Sequence, residues 1–461
     1  MKKFIKVTLL SLIGILLLVV LVVVYSFTPI MAGMAAKTVC SCVYVSGRTV
    51  ESVREKELTV FPTLSSAGLE VDTSDSSVTA TVLLAKAKAI YRKGLGCTLL
   101  AERSEEEVRS QQISLAQAPA YLQDTLAWPM GNLLLDSIAT DIDKERIDKA
   151  LEIALIETDS AKPKNTLAVV VLYKGQLIAE QYADYVTPQT KLMGWSMTKS
   201  ITNALIGLLV NDGNLRVEDP APVPEWKDDA RARITVNNLL QASSGLKWSE
   251  TYFNPFQDFH QMFIYSDDKG AYAASRPLVQ QPNTHFQYSS ASTNIMSRMI
   301  RQQLGDTLYH RFPYERLFYK IGMLNTVIEP DASGTFVGSS YSFATARDWA
   351  RFGLLYYNDG VWNGEHILPE GWVKYTTTPA TTPPLGEYGA QWWLNAGAKD
   401  NPQNRKYPDL PQDAYWADGF EEQFVMVIPS EDLVIVRLGI SHHGFDMVSM
   451  VNEIIASLPN D

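Results

Sequence analysis

The longest apolar stretch of the chain covers residues 7–27 and contains no charged residue. Three lysines precede it, and the next charged residue is Lys37. A helix needs about 20 apolar residues to cross a membrane, whereas a cleaved signal peptide has an apolar core of about 7–15. The pattern therefore predicts an uncleaved transmembrane anchor at residues 1–27.

The charges that flank this segment predict its orientation. Positive charges hold a helix end in the cytoplasm, so Lys2, Lys3 and Lys6 send the remaining chain to the periplasmic or extracellular side. The small residues of Gly33-Met34-Ala35 also fit a signal-peptide cleavage site, which is the alternative to an anchor.

Two pairs of apolar segments predict β-hairpins at distant points of the chain. Residues 166–173 and 176–183 flank a turn at Lys174-Gly175, and residues 423–428 and 433–438 flank a second turn. Residues 445–458 have helical spacing, and most of the chain between the hairpins reads as helix and loop. This order predicts an α/β (α+β) fold with an antiparallel sheet covered by helices.

Residues 28–130 read as a linker and a small N-terminal extension, because short apolar segments alternate there with Ser, Asp and Thr. Within it, Val43–Val45 and Val78–Val82 are predicted to be strands. The expected organisation is therefore an anchor at 1–27, this extension, and a main domain at 131–461.

Composition narrows the function classes. The 461 residues are 46% hydrophobic and carry a net charge of −11, which fits a globular chain and argues against nucleic-acid binding. Three cysteines, Cys40, Cys42 and Cys97, lie in the N-terminal quarter, and an exported chain meets an oxidising compartment. One disulfide is expected, with Cys97 paired to either Cys40 or Cys42 and one thiol left over.

Ser196 and Lys199 open an apolar, helix-like run, and this spacing is a candidate for nucleophilic catalysis. Residues three apart on a helix have Cβ atoms about 5–6 Å apart, so the amine can take the proton of the serine hydroxyl. Lysine acts as a base only when its pKa falls below about 10.4, which burial can cause. A second copy, Ser266-Asp-Asp-Lys269, has two carboxylates and is interpreted as a solvated loop.

Several further blocks occur in a fixed order around the first copy. They are Trp195–Ser200, Ile234–Leu246, Phe286–Asn294, Ala346–Gly353, Trp362–Pro369 and Tyr388–Trp393. With these blocks the chain resembles the superfamily of serine beta-lactamases, penicillin-binding proteins and related esterases. It is most similar to the class C branch and the 6-aminohexanoate-dimer hydrolases, over roughly residues 130–457.

The resemblance implies a beta-lactamase/transpeptidase-like fold with a mostly helical subdomain. It assigns the nucleophile to Ser196, the base to Lys199 and proton transfer to Tyr288 of the Tyr-x-Ser motif, with Ser290 contacting the substrate or Lys199. No metal or organic cofactor is implied.

The third motif of the family, often Lys-Thr-Gly, is where this chain departs from the pattern. Counting back from Pro429 places Ala414-Tyr415-Trp416 there, followed by Ala417, so no lysine is present to bind a substrate carboxylate. The oxyanion and substrate contacts are expected at Tyr415, Trp416 and Ala417. The departure favours the esterase and amidase relatives over an enzyme that acts on β-lactams.

The sequence therefore predicts a membrane-anchored serine hydrolase that cleaves a small amide or ester, including a peptide-like one. The alternative is a membrane-anchored sensor or peptidoglycan-binding module that is acylated without turnover, or does not react. The membrane is the expected partner of residues 7–27. The sequence assigns neither the substrate nor the oligomeric state.

Overall fold

A computed structural model of the chain describes residues 2–121, 123–134, 141–252, 254, 256–442 and 444–459. The α-helices are α1 (Lys2–Tyr44), α2 (Val50–Glu55), α3 (Pro62–Ser65), α4 (Glu105–Arg109), α5 (Lys144–Leu155), α6 (Thr198–Asn211), α7 (Val236–Leu240), α8 (Asp258–His260), α9 (Lys269–Ala274), α10 (Ser290–Tyr309), α11 (Ala346–Tyr357), α12 (Trp372–Thr377) and α13 (Met447–Ala456). Single turns of 3-10 or π-helix lie between them, including Glu57–Val60, Trp195–Met197 and Gln261–Tyr265.

The strands are β1 (Gly68–Asp72), β2 (Ser77–Val82), β3 (Ala85–Arg92), β4 (Gly96–Leu99), β5 (Thr166–Tyr173), β6 (Gln176–Tyr182), β7 (Leu192–Met193), β8 (Val327–Ile328), β9 (Ser342–Ala344), β10 (Val361–Trp362), β11 (Glu365–His366), β12 (Trp393–Leu394), β13 (Tyr415–Gly419), β14 (Gln423–Ile428) and β15 (Leu433–Gly439). Six of them form an antiparallel sheet in the order β12-β13-β14-β15-β5-β6. Both predicted hairpins are confirmed, and β15 pairs directly with β5, which joins distant parts of the chain.

The central sheet is buried on both faces, which explains the unbroken apolar run of β5. Val169 and Val171 point into a core shared with α5 and α13, whereas Val170 and Leu172 point into the main core beside α11. The predicted C-terminal helix is confirmed as α13. The fold is thus the expected antiparallel sheet covered by helices.

A helical region lies beside the central sheet. Helices α6 and α10 pack against each other, and α10 also contacts α7 and α9. A small sheet in the order β7-β9-β8 leads the chain into α6. The end of β7, the start of α6 and the start of α10 are thereby brought together.

The N-terminal part differs from the sequence prediction. Helix α1 continues to Tyr44, so residues 28–44 are helical rather than a linker and the strand predicted at Val43–Val45 is wrong. Residues 4–22 of α1 are exposed, whereas most side chains from Thr28 to Cys42 are buried against β2, β3 and β4. These strands form the sheet β1-β2-β3-β4, which confirms a strand at Val78–Val82.

Covalent and ionic contacts hold α1 to the rest of the molecule. A disulfide joins Cys40 of α1 to Cys97 of β4, with 6.0 Å between their Cα atoms, and Cys42 is a buried free thiol. Lys37 forms a buried ion pair with Glu329, whose carboxylate also accepts a hydrogen bond from Ser41. The C-terminal half of α1 is therefore an integral part of the folded domain.

The second Ser-x-x-Lys copy also differs from its prediction as a solvated loop. Lys269 is the first residue of α9 and is only 3% exposed, because Asp268 caps the helix and turns the lysine inward. Its Nζ donates to the backbone carbonyl of Ser266 at 3.2 Å.

Candidate active site

Ser196, the predicted nucleophile, lies on a tight turn between β7 and α6. Gly194 ends β7, and the ring of Trp349 lies 2.3 Å from the point where a Cβ of residue 194 would stand, so only glycine fits. Trp195 adopts a positive φ of 46°, which is unusual for a bulky residue and common at functional sites. This turn presents Ser196 at the start of a helix.

Lys199 lies one helical turn further and contacts Ser196 directly. Its Nζ is 2.9 Å from Ser196 Oγ, 3.2 Å from Ser290 Oγ and 3.0 Å from the carbonyl oxygen of Ser339. All three acceptors are uncharged, and the lysine is only 2% exposed. Burial lowers the pKa of Lys199 to about 8, against smaller opposing effects of Glu250 and Asp418.

Tyr288 lies beside both Lys199 and Ser196. Lys199 Nζ is 4.9 Å from the centre of its ring, and its hydroxyl interacts with the Ser196 side chain. Burial raises the pKa of Tyr288 well above the ordinary value, and neighbouring tyrosines and Glu250 add to this effect. The phenol therefore keeps its proton at neutral pH and can donate it.

Ser290 begins α10 and bridges Lys199 to a carboxylate that the sequence analysis missed. Its N–H and its Oγ donate to Glu250 at 2.9 and 2.5 Å. Trp248 also donates its indole N–H to Glu250. The sequence indicated this carboxylate only through its position, because Glu250 follows the Ser-Ser-Gly-Leu block by four residues.

The residues expected on the third motif are placed away from the nucleophile. The Tyr415 ring packs on Trp392 with 5.5 Å between ring centres, inside the main core. Trp416 points to the opposite face of the sheet, where it packs on Tyr407. Ala417 is fully buried in the main core. The structure therefore does not bring these three side chains to Ser196.

The end of β13, about three residues later, does approach the nucleophile. A Cβ on Gly419 would lie 2.6 Å from the carbonyl oxygen of Gly194 and 3.3 Å from Met197 Cγ. The next ring, Phe420, packs edge-on against Trp195 at 5.7 Å. Within the described part of the chain, no backbone carbonyl accepts a hydrogen bond from the N–H of Ser196 or of Phe420. These two donors fit the requirements of an oxyanion hole.

A narrow cleft of about 60 Å³ opens beside these groups, and Ser196, Ser290 and Phe420 line it. Tyr252, which the sequence analysis did not single out, contributes its ring to the wall. The cleft also contains residues of α1 and α3, and nothing in the sequence pattern linked those segments to the site. The arrangement joins a serine, a buried amine, a protonated phenol and two backbone donors, which are the components of acyl transfer.

Comparisons with known proteins identify the family and the fold. Residues 154–452 match the sequence profile of the family described as Beta-lactamase. The 6-aminohexanoate-dimer hydrolase of Paenarthrobacter ureafaciens is 23% identical over 308 residues, which cover 59% of this chain and 72% of that protein.

Solved structures share the fold at low sequence identity. An octameric penicillin-binding protein homologue from Pyrococcus abyssi has a TM-score of 0.51 at 16% identity, over 68% of this chain and 76% of that one. A penicillin-binding protein homologue from Caulobacter crescentus has a TM-score of 0.51 at 15% identity, over 71% and 99% of the two chains.

Proposed function

The chain belongs to the beta-lactamase family of serine hydrolases, and on that premise we propose that it cleaves an amide or ester through an acyl-enzyme on Ser196 while α1 anchors it in a membrane. Lys199 is the base that activates the serine, and Tyr288 transfers the proton to the leaving group. The observation that carries this proposal is the 2.9 Å contact between Lys199 Nζ and Ser196 Oγ. The amine is buried, and all three of its hydrogen-bond acceptors are uncharged.

Acylation follows from the positions of these groups. Neutral Lys199 takes the proton of Ser196 as Oγ forms a bond to the substrate carbonyl carbon, and the carbonyl oxygen gains negative charge. The N–H groups of Ser196 and Phe420 stabilise that charge. Tyr288 then gives its proton to the leaving amine or alcohol as the carbon–heteroatom bond breaks, and Lys199 returns a proton to the phenol.

Deacylation uses the same groups in reverse roles. Water attacks the acyl carbon and loses its proton through Tyr288 to Lys199, and Ser196 leaves with a proton. Ser290 and Glu250 position Lys199 without entering the bond changes, since Ser290 contacts both the amine and the carboxylate.

The charges around the site indicate which substrates it accepts. Glu250 and Asp418 both act on Lys199 electrostatically, and Glu421 lines the cleft. The position of the third motif has no lysine to bind a substrate carboxylate. A neutral amide or ester therefore suits the site better than an anionic β-lactam.

The anchor rests on the two halves of α1. The candidate membrane span within the helix covers 41 residues from Phe4 to Tyr44, and its most apolar part is entirely exposed, unlike a core helix of a soluble protein. Gly33-Met34-Ala35, the alternative cleavage site, lies inside the buried half of the helix. We expect the protein to keep its first residues and the catalytic domain to lie outside the cytoplasm.

The test is the intact mass of the full chain in detergent after exposure to a small activated ester, a β-lactam and a fluorophosphonate. An adduct that forms on the wild type and on Ser266→Ala, but is lost in Ser196→Ala and Lys199→Ala, supports the proposal. The absence of an adduct with every probe would contradict it. An adduct that never turns over would favour the alternative function, a sensor that is acylated without turnover.

The same preparation tests the anchor. We expect the protein to stay with membranes at alkaline pH and its mass to include residues 1–35. A mature chain that begins after Ala35 would contradict the anchor.

A further inference from the structure

The cleft beside Ser196 has two walls that come from different parts of the chain. Aromatic rings of the hydrolase region, Trp195, Tyr252, Phe259 and Phe420, form one wall. Their edges pack on one another, with 5.5 Å between the ring centres of Tyr252 and Phe420. This wall is continuous with the nucleophile, because Trp195 precedes Ser196.

The opposite wall belongs to the N-terminal module, residues 28–110. Met34 and Thr38 lie one helical turn apart on α1, and both are half-buried whereas their neighbours in the helix are buried. Val60 and Leu64 complete the wall from the 3-10 turn and α3. The module therefore forms part of the site as well as connecting the site to an anchor.

Several contacts fix this wall in place. The Cys40–Cys97 disulfide and the Lys37–Glu329 ion pair join α1 to its surroundings. Lys37 also lies 3.9 Å from the ring centre of Tyr341, which packs against Trp195. The two walls are thus connected through buried groups.

The charged groups at the margin of the cleft are compensated. Glu57 pairs with Arg48, and Glu421 pairs with His442. One oxygen of Glu57 keeps no hydrogen-bond partner among the described residues. The surface beside Ser196 is otherwise dominated by carbon atoms, and a narrow apolar cleft suits an apolar ligand group.

We infer that the N-terminal module makes this enzyme selective for esters or amides that carry a linear apolar chain, seated between Met34 and Thr38 of α1 and the rings of Tyr252 and Phe420. The inference rests on the proposed function, since the apolar chain of the substrate must be joined to the carbonyl that Ser196 attacks. This substrate chain belongs either to the acyl part or to the leaving alcohol, and the experiment separates the two.

The experiment measures kcat/KM of the full-length protein in phosphatidylcholine nanodiscs for p-nitrophenyl acetate, butyrate, hexanoate and octanoate. Burial of one methylene corresponds to about a two- to fourfold gain, so kcat/KM rises steadily along the series. A parallel series of acetate esters with alcohols of two to eight carbons shows whether the leaving group occupies the cleft instead. A flat or falling response in both series would overturn the inference.

Two α1 variants test the wall itself. Thr38→Phe fills the cleft and lowers kcat/KM for the octanoate by about tenfold, with less than a twofold change for the acetate. The matched control Thr63→Phe makes the same change at an exposed position of α3 outside the cleft and leaves both values unchanged. Equal losses on both esters in Thr38→Phe, or the same effect in Thr63→Phe, would overturn the role of the wall.

Met34→Ala keeps the test decisive if Thr38→Phe fails to fold. This variant enlarges the cleft and should move the preferred chain length upward. The absence of that shift would count against the inference.

An 8-aminooctanoyl ester that is cleaved faster than the octanoyl ester would also overturn the inference, because it would assign Glu57 a cationic ligand. If acetate hydrolysis depends on Ser196 but chain length has no effect, the inference is wrong and the proposed function stands. If no ester is hydrolysed at all, the proposed function is wrong as well.

Discussion

Ser-x-x-Lys occurs three times in this chain, and in the two copies that begin at Ser196 and Ser266 the lysine is buried at the start of a helix. In the first copy, Lys199 Nζ contacts the hydroxyl of Ser196. In the second, Lys269 Nζ contacts the backbone carbonyl of Ser266, and the Ser266 hydroxyl donates to the carbonyl of Asp268. The same spacing therefore produces a serine–amine pair in one place and not in the other.

The backbone explains the difference. A 3-10 turn runs directly into α6, so Ser196 and Lys199 project from one continuous helical face. Ser266 instead ends the preceding π-helical segment in an extended conformation, and Asp268 begins α9. The chain changes direction between Ser266 and Lys269, which separates the two side chains.

The surroundings differ as well. Asp331 is the nearest source of negative charge at Lys269, with Asp268 and Asp267 adding to it, although burial still lowers the pKa of this lysine. Lys199 has uncharged acceptors and a cleft beside it. The comparison shows that a short motif becomes a candidate for catalysis through helix continuity, charge and access.

The largest expected contrast is in activity. Lys199→Met should lower the rate of p-nitrophenyl acetate hydrolysis by at least about 10³-fold, because the serine loses its base. Lys269→Met should change it by less than about twofold in the fraction that remains folded. Comparable losses in the two variants, measured as kcat per folded molecule, would remove the distinction between the copies.

Tyr288→Phe should lower kcat by about 10²-fold, since the leaving group loses its proton donor. Tyr388 is the matched control, because its ring packs edge-on against Tyr288 with 6.0 Å between centres. Tyr388→Phe should retain most of the activity. Steady-state rates with an ester and an anilide distinguish the two outcomes, and an equal loss in both variants would point to packing rather than proton transfer.

Stability should show the opposite contrast. Lys269→Met removes a positive charge that lowers the pKa of buried Asp331, and should lower the free energy of unfolding by about 2 kcal/mol. Lys199→Met removes a buried amine that has no ion pair to lose, so stability should stay unchanged or rise. Thermal unfolding of the two variants in the same nanodiscs measures both, and destabilisation by Lys199→Met alone would reverse the expected pattern.

The smallest effect is a shift in pH dependence. Activity should rise with pH through about 8, because burial lowers the pKa of Lys199 to that value and only the neutral amine accepts a proton. Glu250 raises this pKa, so Glu250→Gln should move the midpoint downward by about one pH unit.

The control for this shift is Ser290→Ala, which removes the 2.5 Å hydrogen bond to Glu250 but keeps the charge. Its midpoint in kcat against pH should stay near that of the wild type. A midpoint that moves equally in both variants would assign the effect to geometry instead of charge.

Sequence patterns predicted the hairpins β5–β6 and β14–β15 because short apolar runs and the turn residues between them specify them. The predicted contact between Ser196 and Lys199 depends only on helical spacing and is observed as well. The oxyanion strand was harder, because counting residues from Pro429 carries an error of a few positions. The structure places Phe420, rather than Trp416, beside the nucleophile.

The N-terminal module was the least predictable part. Residues 28–44 have apolar and small side chains without a clear stop signal, so the end of the membrane segment could not be located. Contacts with β2, β3 and β4 determine that the helix continues to Tyr44. Met34 and Thr38 reach the site through tertiary packing, which no local pattern encodes.

Under the proposed anchoring, the continuity of α1 also limits where the enzyme can be released from a membrane. A protease that cuts among the exposed residues around Tyr25 would shed a soluble domain whose cleft is complete. A cut near Ala35 would remove Met34 and leave the cleft open on one side. The cleavage positions that would give a complete or an incomplete cleft are therefore only about ten residues apart, or roughly 15 Å along the helix.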